Sequence, residues 1–258
     1  WGMEYPMLTL IERNDDTVMT GVAMHEWLHN WYYGMLGNNE NDEPWLDEGF
    51  ANYAAADILS HTLPGAAVAA RRASFGQISQ MAAQVKDPVS TPANFSGKDE
   101  WYFFNAYTKG EAFLWQLRYI VGDEAFKRGM LRYHTEWHFK HPTGDDFIRI
   151  MERASGMELD WYYAGWVKSL KSIDYSVETP LPDGSSASKI ILKNHGSLPM
   201  PAEVLIEFKD GTAERYYIPL DLQYGAKFTT GTTNSVVTHA PWSFSVETYE
   251  IRLEKSVT

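Results

Sequence analysis

The chain has 258 residues, of which 44% are hydrophobic and 22% charged, and its formal net charge is −12. This composition is typical of a globular protein with one large domain or two smaller ones, and the negative charge argues against nucleic-acid binding, which needs a basic face. The absence of cysteine excludes disulfides and thiolate metal sites. No apolar run reaches the length of a membrane span, and the N-terminus lacks the pattern of a signal peptide.

Patterns up to about residue 173 are mostly helical. They predict a short strand at Met7–Glu12, followed by three helices at about Thr20–Gly34, Pro44–Leu59 and Ala66–Val85. A loop is predicted at 86–97. The first helix is expected to end at its glycine, and the second to begin at its proline, which the first helical turn favours. Four further helices are predicted at Ala106–Val121, Asp123–Phe139, Thr143–Ala154 and Glu158–Val167.

After Asp174 the pattern changes to the period of two that is typical of β-strands. Apolar residues alternate with polar ones, or form short continuous runs, in four segments: KIILK, VLIEFK, RYYIPL and FSVETYEIRL. Turn residues occur at Pro182–Gly184, Asn194–Gly196 and Asp210–Gly211. Short strands of this kind predict a small antiparallel β-sandwich. We therefore expect a multi-domain chain of α and β structure, with a mainly helical domain at 1–173 and the sandwich at 174–258.

The stretch MHEWLHNW, Met24–Trp31, contains two histidines four residues apart. Residues at this spacing lie on one face of a helix, so His25 and His29 can both offer a ring nitrogen to one metal ion. The carboxylate of Glu26, one position after the first histidine, can then reach a water at the metal. One turn of an ordinary helix can also hold two imidazoles, so this motif alone only suggests a metal site.

A third ligand is needed, because a catalytic zinc site has three protein ligands and one open position. Glu48 in WLDEGFANY is the candidate, with eighteen residues between His29 and this glutamate. Two antiparallel helices joined by a short loop can bring the three side chains together. A solvated helix face is the default for a single glutamate, but the His25, His29 and Glu48 set predicts one Zn²⁺ per chain.

HEWLHNW followed by WLDEGFANY resembles the zinc aminopeptidase family that includes aminopeptidase N and the leukotriene-hydrolysing aminopeptidases. The signature of these gluzincins is HExxH, eighteen residues, then Glu. GMEYP at Gly2–Pro6 is similar to the family's GxMEN motif, and Tyr107–Gly110 is similar to its Tyr-x-Lys-Gly motif. The resemblance covers roughly residues 1–170 and implies a thermolysin-like catalytic domain.

The resemblance also implies a mechanism, the removal of the N-terminal residue from peptides that carry a free N-terminus. Zinc lowers the pKa of its water and polarises the scissile carbonyl, and Glu26 is then the general base. Tyr107 matches the phenol that stabilises the oxyanion. Glu4 matches the acid that binds the free α-ammonium group, and the backbone at Gly2 and Met3 would pair with the extended substrate.

Three features depart from the family pattern. Tyr5 replaces the asparagine of GxMEN, which leaves the local backbone conformation open. Asn52 stands where many members have an acid that orients a ligand histidine, and Asp47 is a second candidate for that role. The β-rich domain that precedes the GxMEN motif in family enzymes is not in this sequence, so we expect a fragment or a processed chain whose activity is weak or absent.

Three functions remain open from the sequence. The first is an aminopeptidase, the second is a zinc endopeptidase, against which Glu4 argues, and the third is a non-catalytic binding module on a peptidase scaffold. Trp27, Trp31 and Trp45 flank the zinc residues and are expected to pack in the core between the two helices. The compartment is not determined, although a chain without cysteine is compatible with a secreted or periplasmic protein.

Overall fold

The computed structural model of the chain describes residues 1–62, 64–182, 188–227 and 236–253. The α-helices of this part are α1 (Asp16–Leu28), α2 (Glu48–Thr62), α3 (Pro64–Met81), α4 (Asp99–Phe103), α5 (Gly110–Val121), α6 (Asp123–Trp137), α7 (Gly144–Ser155) and α8 (Asp160–Trp166). The strands are β1 (Gly2–Met3), β2 (Leu10–Ile11), β3 (Tyr175–Pro182), β4 (Ser188–Asn194), β5 (Ala202–Glu207), β6 (Ala213–Ile218), β7 (Val236–Thr238) and β8 (Thr248–Leu253). None of the described helices combines the length and apolar character that crossing a membrane requires.

The predicted strand at Met7–Glu12 is too long, because the chain reverses direction inside it. Proline at position 6 fixes one backbone angle, Met7 adopts a positive φ of 63°, and the Leu8 N–H donates to the Tyr5 carbonyl at 2.9 Å. Only β2 remains extended, and it pairs antiparallel with β1. The turn thus folds the GMEYP motif back as a short hairpin that packs on α1.

Helix α1 begins four residues earlier and ends six residues earlier than its predicted limits of Thr20 and Gly34. It begins early because the carboxylate of Asp15 accepts from the N–H groups of Thr17 and Val18, both at 3.1 Å. It ends early because the chain turns after Leu28, with the Asn30 side chain bonded to the Trp27 carbonyl at 2.6 Å. His29 is the C-cap residue, so both histidines lie at the end of the helix.

The other predicted helices are confirmed with shifted limits. Pro44–Leu46 forms a separate 3₁₀ turn before α2, and Ala93–Phe95 forms another within the predicted loop. The predicted helix Ala106–Val121 consists of two pieces, the end of a π-helical turn at Phe104–Lys109 and then α5. Helix α4 precedes this turn, outside the predicted range. A π-turn within a helix often marks a functional position, and this one carries Tyr107.

The helical core lies directly beneath the predicted zinc ligands. Trp45 and Phe50 are fully buried on either side of Glu48. The Trp45 ring packs edge-on against Phe113 with centroids 5.2 Å apart, and Phe50 packs likewise against Phe147 at 4.9 Å. Burying aromatic side chains of this size stabilises the fold by about 3 kcal/mol each. The start of α2 is therefore held in place from both sides.

Two glycines let α2 and α5 approach each other closely. A Cβ atom built on Gly49 would lie 2.6 Å from the Cα of Gly110, and one built on Gly110 would lie 2.9 Å from the Cα of Gly49. The contact places the residue after Glu48 directly against the residue that ends the Tyr107–Gly110 motif. Two sequence motifs that lie far apart in the chain therefore meet at this contact.

Substituting Gly49 by Ala is expected to destabilise the fold by about 1–3 kcal/mol, because backbone must move to admit the methyl group. The matched control is Gly76→Ala in α3, where a Cβ would meet no atom within 4 Å. That substitution should stabilise the chain by about 0.5–1 kcal/mol through helix propensity. Urea unfolding of the three proteins measures both effects, and equal midpoints for both variants would contradict the close-contact explanation.

The region after residue 173 forms two three-stranded sheets, with strand orders β3-β4-β8 and β5-β6-β7. The four predicted strand segments correspond to β4, β5, β6 and β8, and the prediction missed β3 and β7. Pairing is antiparallel except between β6 and β7, which are parallel, so the expected fully antiparallel arrangement is wrong for this pair. Of the predicted turns, the residues Asp183 and Gly184 lie outside the described part of the chain.

The two sheets share one apolar cluster, and polar bonds join this region to the helices. Ile190 of β4, Ile206 of β5 and Ile218 of β6 are buried in that cluster. The Tyr119 hydroxyl of α5 donates to the Pro201 carbonyl at 3.0 Å, and the Glu158 N–H donates to the Tyr224 carbonyl at 3.0 Å. The Tyr175 ring borders both the helical and the strand cluster.

Candidate active site

The nitrogen and oxygen atoms of the three predicted ligands meet at one point. His25 Nε2 lies 3.0 Å from His29 Nε2 and 3.1 Å from Glu48 Oε2, and His29 Nε2 lies 3.4 Å from the same oxygen. Helix α1 supplies the two histidines from its last turn and the following cap, and Glu48 is the first residue of α2. The structure thus brings together the three residues that the sequence singled out.

The spacing of these atoms fits a tetrahedral zinc ion. Ligand atoms bound at about 2.0–2.1 Å to a tetrahedral centre lie roughly 3.3–3.4 Å apart. The three observed separations are within a few tenths of an ångström of that spacing. Two imidazoles and one carboxylate are also a donor set that zinc accepts at catalytic sites.

Asp47, the second candidate for the orienting role, contacts the predicted ligand His29. Its Oδ1 lies 2.6 Å from Nδ1 of His29, and both side chains are buried. Burial lowers the pKa of His29, but Asp47 and then Glu48 raise it more strongly, so that the pKa is raised to about 10. A carboxylate at Nδ1 leaves Nε2 free to face His25 Nε2 and the Glu48 carboxylate, where the predicted metal site lies.

Glu26 is a buried carboxylate with one unused oxygen. It is only 6% exposed, and no group in the described part of the chain bonds its Oε2. Burial raises the pKa of Glu26, and nearby Glu4 and Glu48 act in the same direction against the two histidines. A Cβ atom on Gly2 would lie 2.2 Å from Glu26 Oε1, so a larger residue where the hairpin crosses this carboxylate would force the Glu26 side chain to move.

Tyr107 lies at the same centre. Its hydroxyl donates to Glu48 Oε1 at 2.5 Å, and its ring stacks on His25 with centroids 5.8 Å apart. Burial first, and then the adjacent Glu48 carboxylate, raise the pKa of Tyr107 well above its ordinary value. The phenol therefore keeps its proton over the physiological range and acts as a hydrogen-bond donor.

Glu4 follows β1 and enters the site from the other side. A carboxylate oxygen of Glu4 lies within 4.8 Å of ligand atoms of Glu26 and His29. In a second group, a Glu4 oxygen lies within 4.8 Å of ligand atoms of Glu40 and Asp47. Gly2 and Met3 pair with β2 along one edge of β1. The prediction did not include Glu40, since the only sequence signal was a lone acid in the loop NNEND.

The expectation for the tryptophans is correct for one of three. Trp45 is fully buried, whereas Trp27 is 57% exposed and Trp31 is 38% exposed. Trp27 lies in the last turn of α1 and Trp31 in the turn that follows it, and the two exposed rings pack edge to face with centroids 5.9 Å apart. These two residues are not part of the core between the helices.

Known proteins share this region of the sequence. The family model described as the peptidase family M1 domain matches residues 7–166. Aminopeptidase N of Lactobacillus delbrueckii subsp. lactis is 28% identical over 158 residues, which are 57% of this chain and 18% of that protein. Aminopeptidase B of Rattus norvegicus is 32% identical over 164 residues, which are 58% of this chain and 25% of that protein.

Solved structures share the fold. Aminopeptidase A of Legionella pneumophila, in complex with aspartic acid, has a TM-score of 0.63 at 15% identity and covers 99% of this chain and 28% of its own. A mutant M1 zinc metallopeptidase from Deinococcus radiodurans, bound to a Tyr-Ser-Ala substrate, has a TM-score of 0.54 at 21% identity over 65% of this chain and 36% of its own.

The chain thus spans about a fifth to a quarter of the length of the two aminopeptidases named above. With the family model matched over more than half of its residues, the chain belongs to peptidase family M1.

Proposed function

We propose that the protein is a zinc-dependent aminopeptidase that hydrolyses the N-terminal residue of peptides. The observation that supports this most is the meeting of His25, His29 and Glu48 at the spacing of a tetrahedral zinc site, beside the buried carboxylate of Glu26. Membership of family M1 and the names of the relatives point to the same chemistry.

In this proposal His25 Nε2, His29 Nε2 and Glu48 Oε2 hold one Zn²⁺. When bound, the ion supplies Lewis-acid chemistry, which polarises a carbonyl group and lowers the pKa of a water molecule. Asp47 holds the His29 ring in the required tautomer through the 2.6 Å contact at Nδ1. The buried Phe50 and Trp45 keep the start of α2 fixed, so the Glu48 ligand is preorganised.

The remaining residues act on the substrate. Glu26 takes a proton from the attacking water at Oε2, the oxygen without a partner, and returns it to the leaving amine. The Tyr107 hydroxyl moves its bond from Glu48 Oε1 to the developing oxyanion. Glu4 pairs with the α-ammonium group, and the free edge of β1 at Gly2 and Met3 bonds the substrate backbone.

For the architecture, we propose a thermolysin-like catalytic domain at 1–173 and a small β-sandwich at 174–258. Separate apolar clusters in the helical and strand regions support the division. Leu198 and Met200 pack with the helical cluster, so the boundary is a packed interface rather than a flexible linker.

The deciding experiment compares two substrates that differ only at the amine. The zinc-loaded protein should release 4-nitroaniline from leucine 4-nitroanilide and leave the N-acetylated compound intact. Preferential cleavage of acetylated or internal peptide bonds would favour the endopeptidase alternative. Zinc binding without hydrolysis of either compound would favour a non-catalytic module.

Substituting Tyr107 by Phe is expected to lower kcat by about 10²–10³-fold with little change in KM, because the lost hydrogen bond forms fully only in the transition state. The measurement is steady-state hydrolysis of leucine 4-nitroanilide. Tyr224→Phe, the same chemical change at an exposed tyrosine in the strand region, serves as the control and should retain most of the activity. An equal loss in both variants would show that Tyr107 has only a structural role.

Substituting Asp47 by Asn is expected to weaken zinc binding by about 10–100-fold, since the amide cannot stabilise His29 through a charge. Competition with a chelator of known affinity measures the change. A zinc affinity equal to that of the wild type would indicate that the buried contact fixes the fold and leaves the basicity of the ligand unchanged.

A further inference from the structure

A cavity of about 780 Å³ lies where the helical region meets the strand region. Its walls come from α3, the π-helical turn, α5, α8, the segment 170–174, β3, β4 and β5. Most of the lining residues are apolar, and Val85, Phe104 and Trp166 among them are buried. This volume and this lining are typical of sites that hold a small organic molecule.

The cavity is separate from the candidate active site. None of the residues that line it is a predicted zinc ligand, and Glu26, Tyr107 and Glu4 are not among them either. A molecule bound in the cavity would therefore contact a different set of side chains from those that the proposed peptidase reaction uses.

Lys109 brings one buried cation to the wall of this cavity. Only 7% of the residue is exposed, and its Nζ lies 4.9 Å from the centroid of the Trp166 ring, which is also part of the wall. In the part of the chain that the structure describes, its ammonium group has no ion pair and no hydrogen bond. A buried lysine is normally paired, because burial removes the water that stabilises its charge.

The charge state of Lys109 agrees with this environment. Burial lowers the pKa of Lys109 to about 8, and no carboxylate acts against that effect. At pH 7 most molecules therefore still carry the charge. The cation lacks a counter-charge from the protein, so an anion in the cavity would supply one.

The other charged residues of the cavity do not take this role. Glu203 of β5 is paired with Lys227 at 2.5 Å and with Arg215 at 3.4 Å. Lys171 and Asp174 are exposed, so water stabilises their charges. Lys109 is thus the buried charge of a mainly apolar cavity, which favours a ligand with one anionic group.

The position of Lys109 is fixed through its backbone. The Trp166 Nε1–H donates to the Lys109 carbonyl at 3.0 Å, and both groups are buried. The next residue, Gly110, packs against Gly49 of α2. A cation whose backbone is held this firmly loses less entropy when it binds a ligand.

We propose that this cavity binds a small apolar molecule that carries one carboxylate group, and that Lys109 is its anion-binding residue. The carboxylate lies against Nζ, and the apolar part of the ligand contacts walls such as Phe104 and Trp166. The inference goes beyond the proposed peptidase function and does not rest on it.

The test compares octanoate with octanamide, which share one hydrocarbon chain and differ in charge. Calorimetric dissociation constants are measured at pH 7 for the zinc-loaded wild type, Lys109→Met and Lys171→Met. Saturating L-leucine hydroxamate is present, so that the octanoate carboxylate cannot bind a zinc ion in the candidate active site. Lys171→Met is the matched control, because it is the same change at an exposed lysine of the same cavity.

We expect the wild type to bind octanoate at least about 10-fold more tightly than octanamide, because only octanoate pairs with the ammonium group. Lys109→Met should weaken octanoate by at least about 10-fold and change octanamide by less than about twofold. Lys171→Met should change neither by more than about twofold. The absence of saturable octanoate binding to the wild type, or an equal effect of the two lysine substitutions, would overturn the proposal.

A second variant decides the question if Lys109→Met does not fold. Ser79 is an exposed residue of α3 on the cavity wall, and an indole at this position would occupy part of the cavity. Ser79→Trp should weaken octanoate and octanamide alike, by about 10-fold, at an unchanged melting temperature. Octanoate binding equal to that of the wild type would place the ligand elsewhere and overturn the proposal.

The outcomes for this cavity and for the proposed function are distinguishable. A wild type that binds octanoate as expected but neither holds zinc nor releases 4-nitroaniline would leave the cavity proposal standing and contradict the aminopeptidase. A wild type that hydrolyses leucine 4-nitroanilide but does not bind octanoate would do the reverse.

Discussion

Substituting Glu26 by Gln is expected to lower kcat for leucine 4-nitroanilide by about 10²–10⁴-fold while zinc content stays at one ion per chain. The physical reason is that glutamine keeps the shape of the side chain but cannot accept a proton from water at pH 7. The buried position of Glu26 beside Gly2 leaves little room for another group to replace it. Elemental analysis and steady-state kinetics on the same preparation measure both quantities.

The control for this variant is Glu100→Gln, the same chemical change at an exposed position in the first turn of α4. It should leave both zinc content and turnover unchanged. If Glu26→Gln instead retained most of its turnover, Glu26 could not be the base. A variant that lost zinc as well as turnover would indicate that Glu26 contributes to the metal site itself.

Substituting Glu48 by Ala is expected to weaken zinc binding by more than about 100-fold, because losing a direct ligand costs more than losing an orienting partner. The variant should then be recovered without zinc after dialysis in chelator-free buffer, and its turnover should fall to background. Added zinc should raise the melting temperature of the wild type through preferential binding to the folded state, and should not do so for the variant.

Asn52→Ala, one turn further along α2, is the matched control for Glu48→Ala. It should retain zinc, because Asp47 rather than Asn52 contacts His29. Loss of zinc in Asn52→Ala would restore the alternative that Asn52 orients the ligand. Full zinc content in Glu48→Ala would contradict the three-ligand site.

The order of the motifs and the types of residue at the site could be predicted from the sequence, since both depend on local spacing. His25 and His29 lie one helical turn apart, and Glu26 lies beside the first of them, so their shared position follows from helix geometry alone. The family membership that the quoted motifs implied is confirmed by the match over residues 7–166. The assignment of individual roles remains a prediction.

Element limits were predicted less well, because they depend on single caps and turns. Asp15 starts α1 early through two backbone bonds, and Met7 reverses the chain inside a predicted strand through one positive φ angle. Trp27 and Trp31 are exposed, against the expectation that they pack in the core, although Trp27 lies inside α1. The periodic spacing of hydrophobic residues does not indicate the backbone conformation at an individual cap or turn.

The sequence by itself determined which chemical groups this protein has available, because the two imidazoles, the adjacent carboxylate and the predicted third ligand follow from residue type and spacing. Only the tertiary structure decided that Asp47 contacts His29 and that Glu40 lies close to Glu4. The physical reason is distance along the chain. Contacts such as Gly49 with Gly110 and Gly2 with Glu26 arise from the packing of remote segments, which local periodicity does not specify.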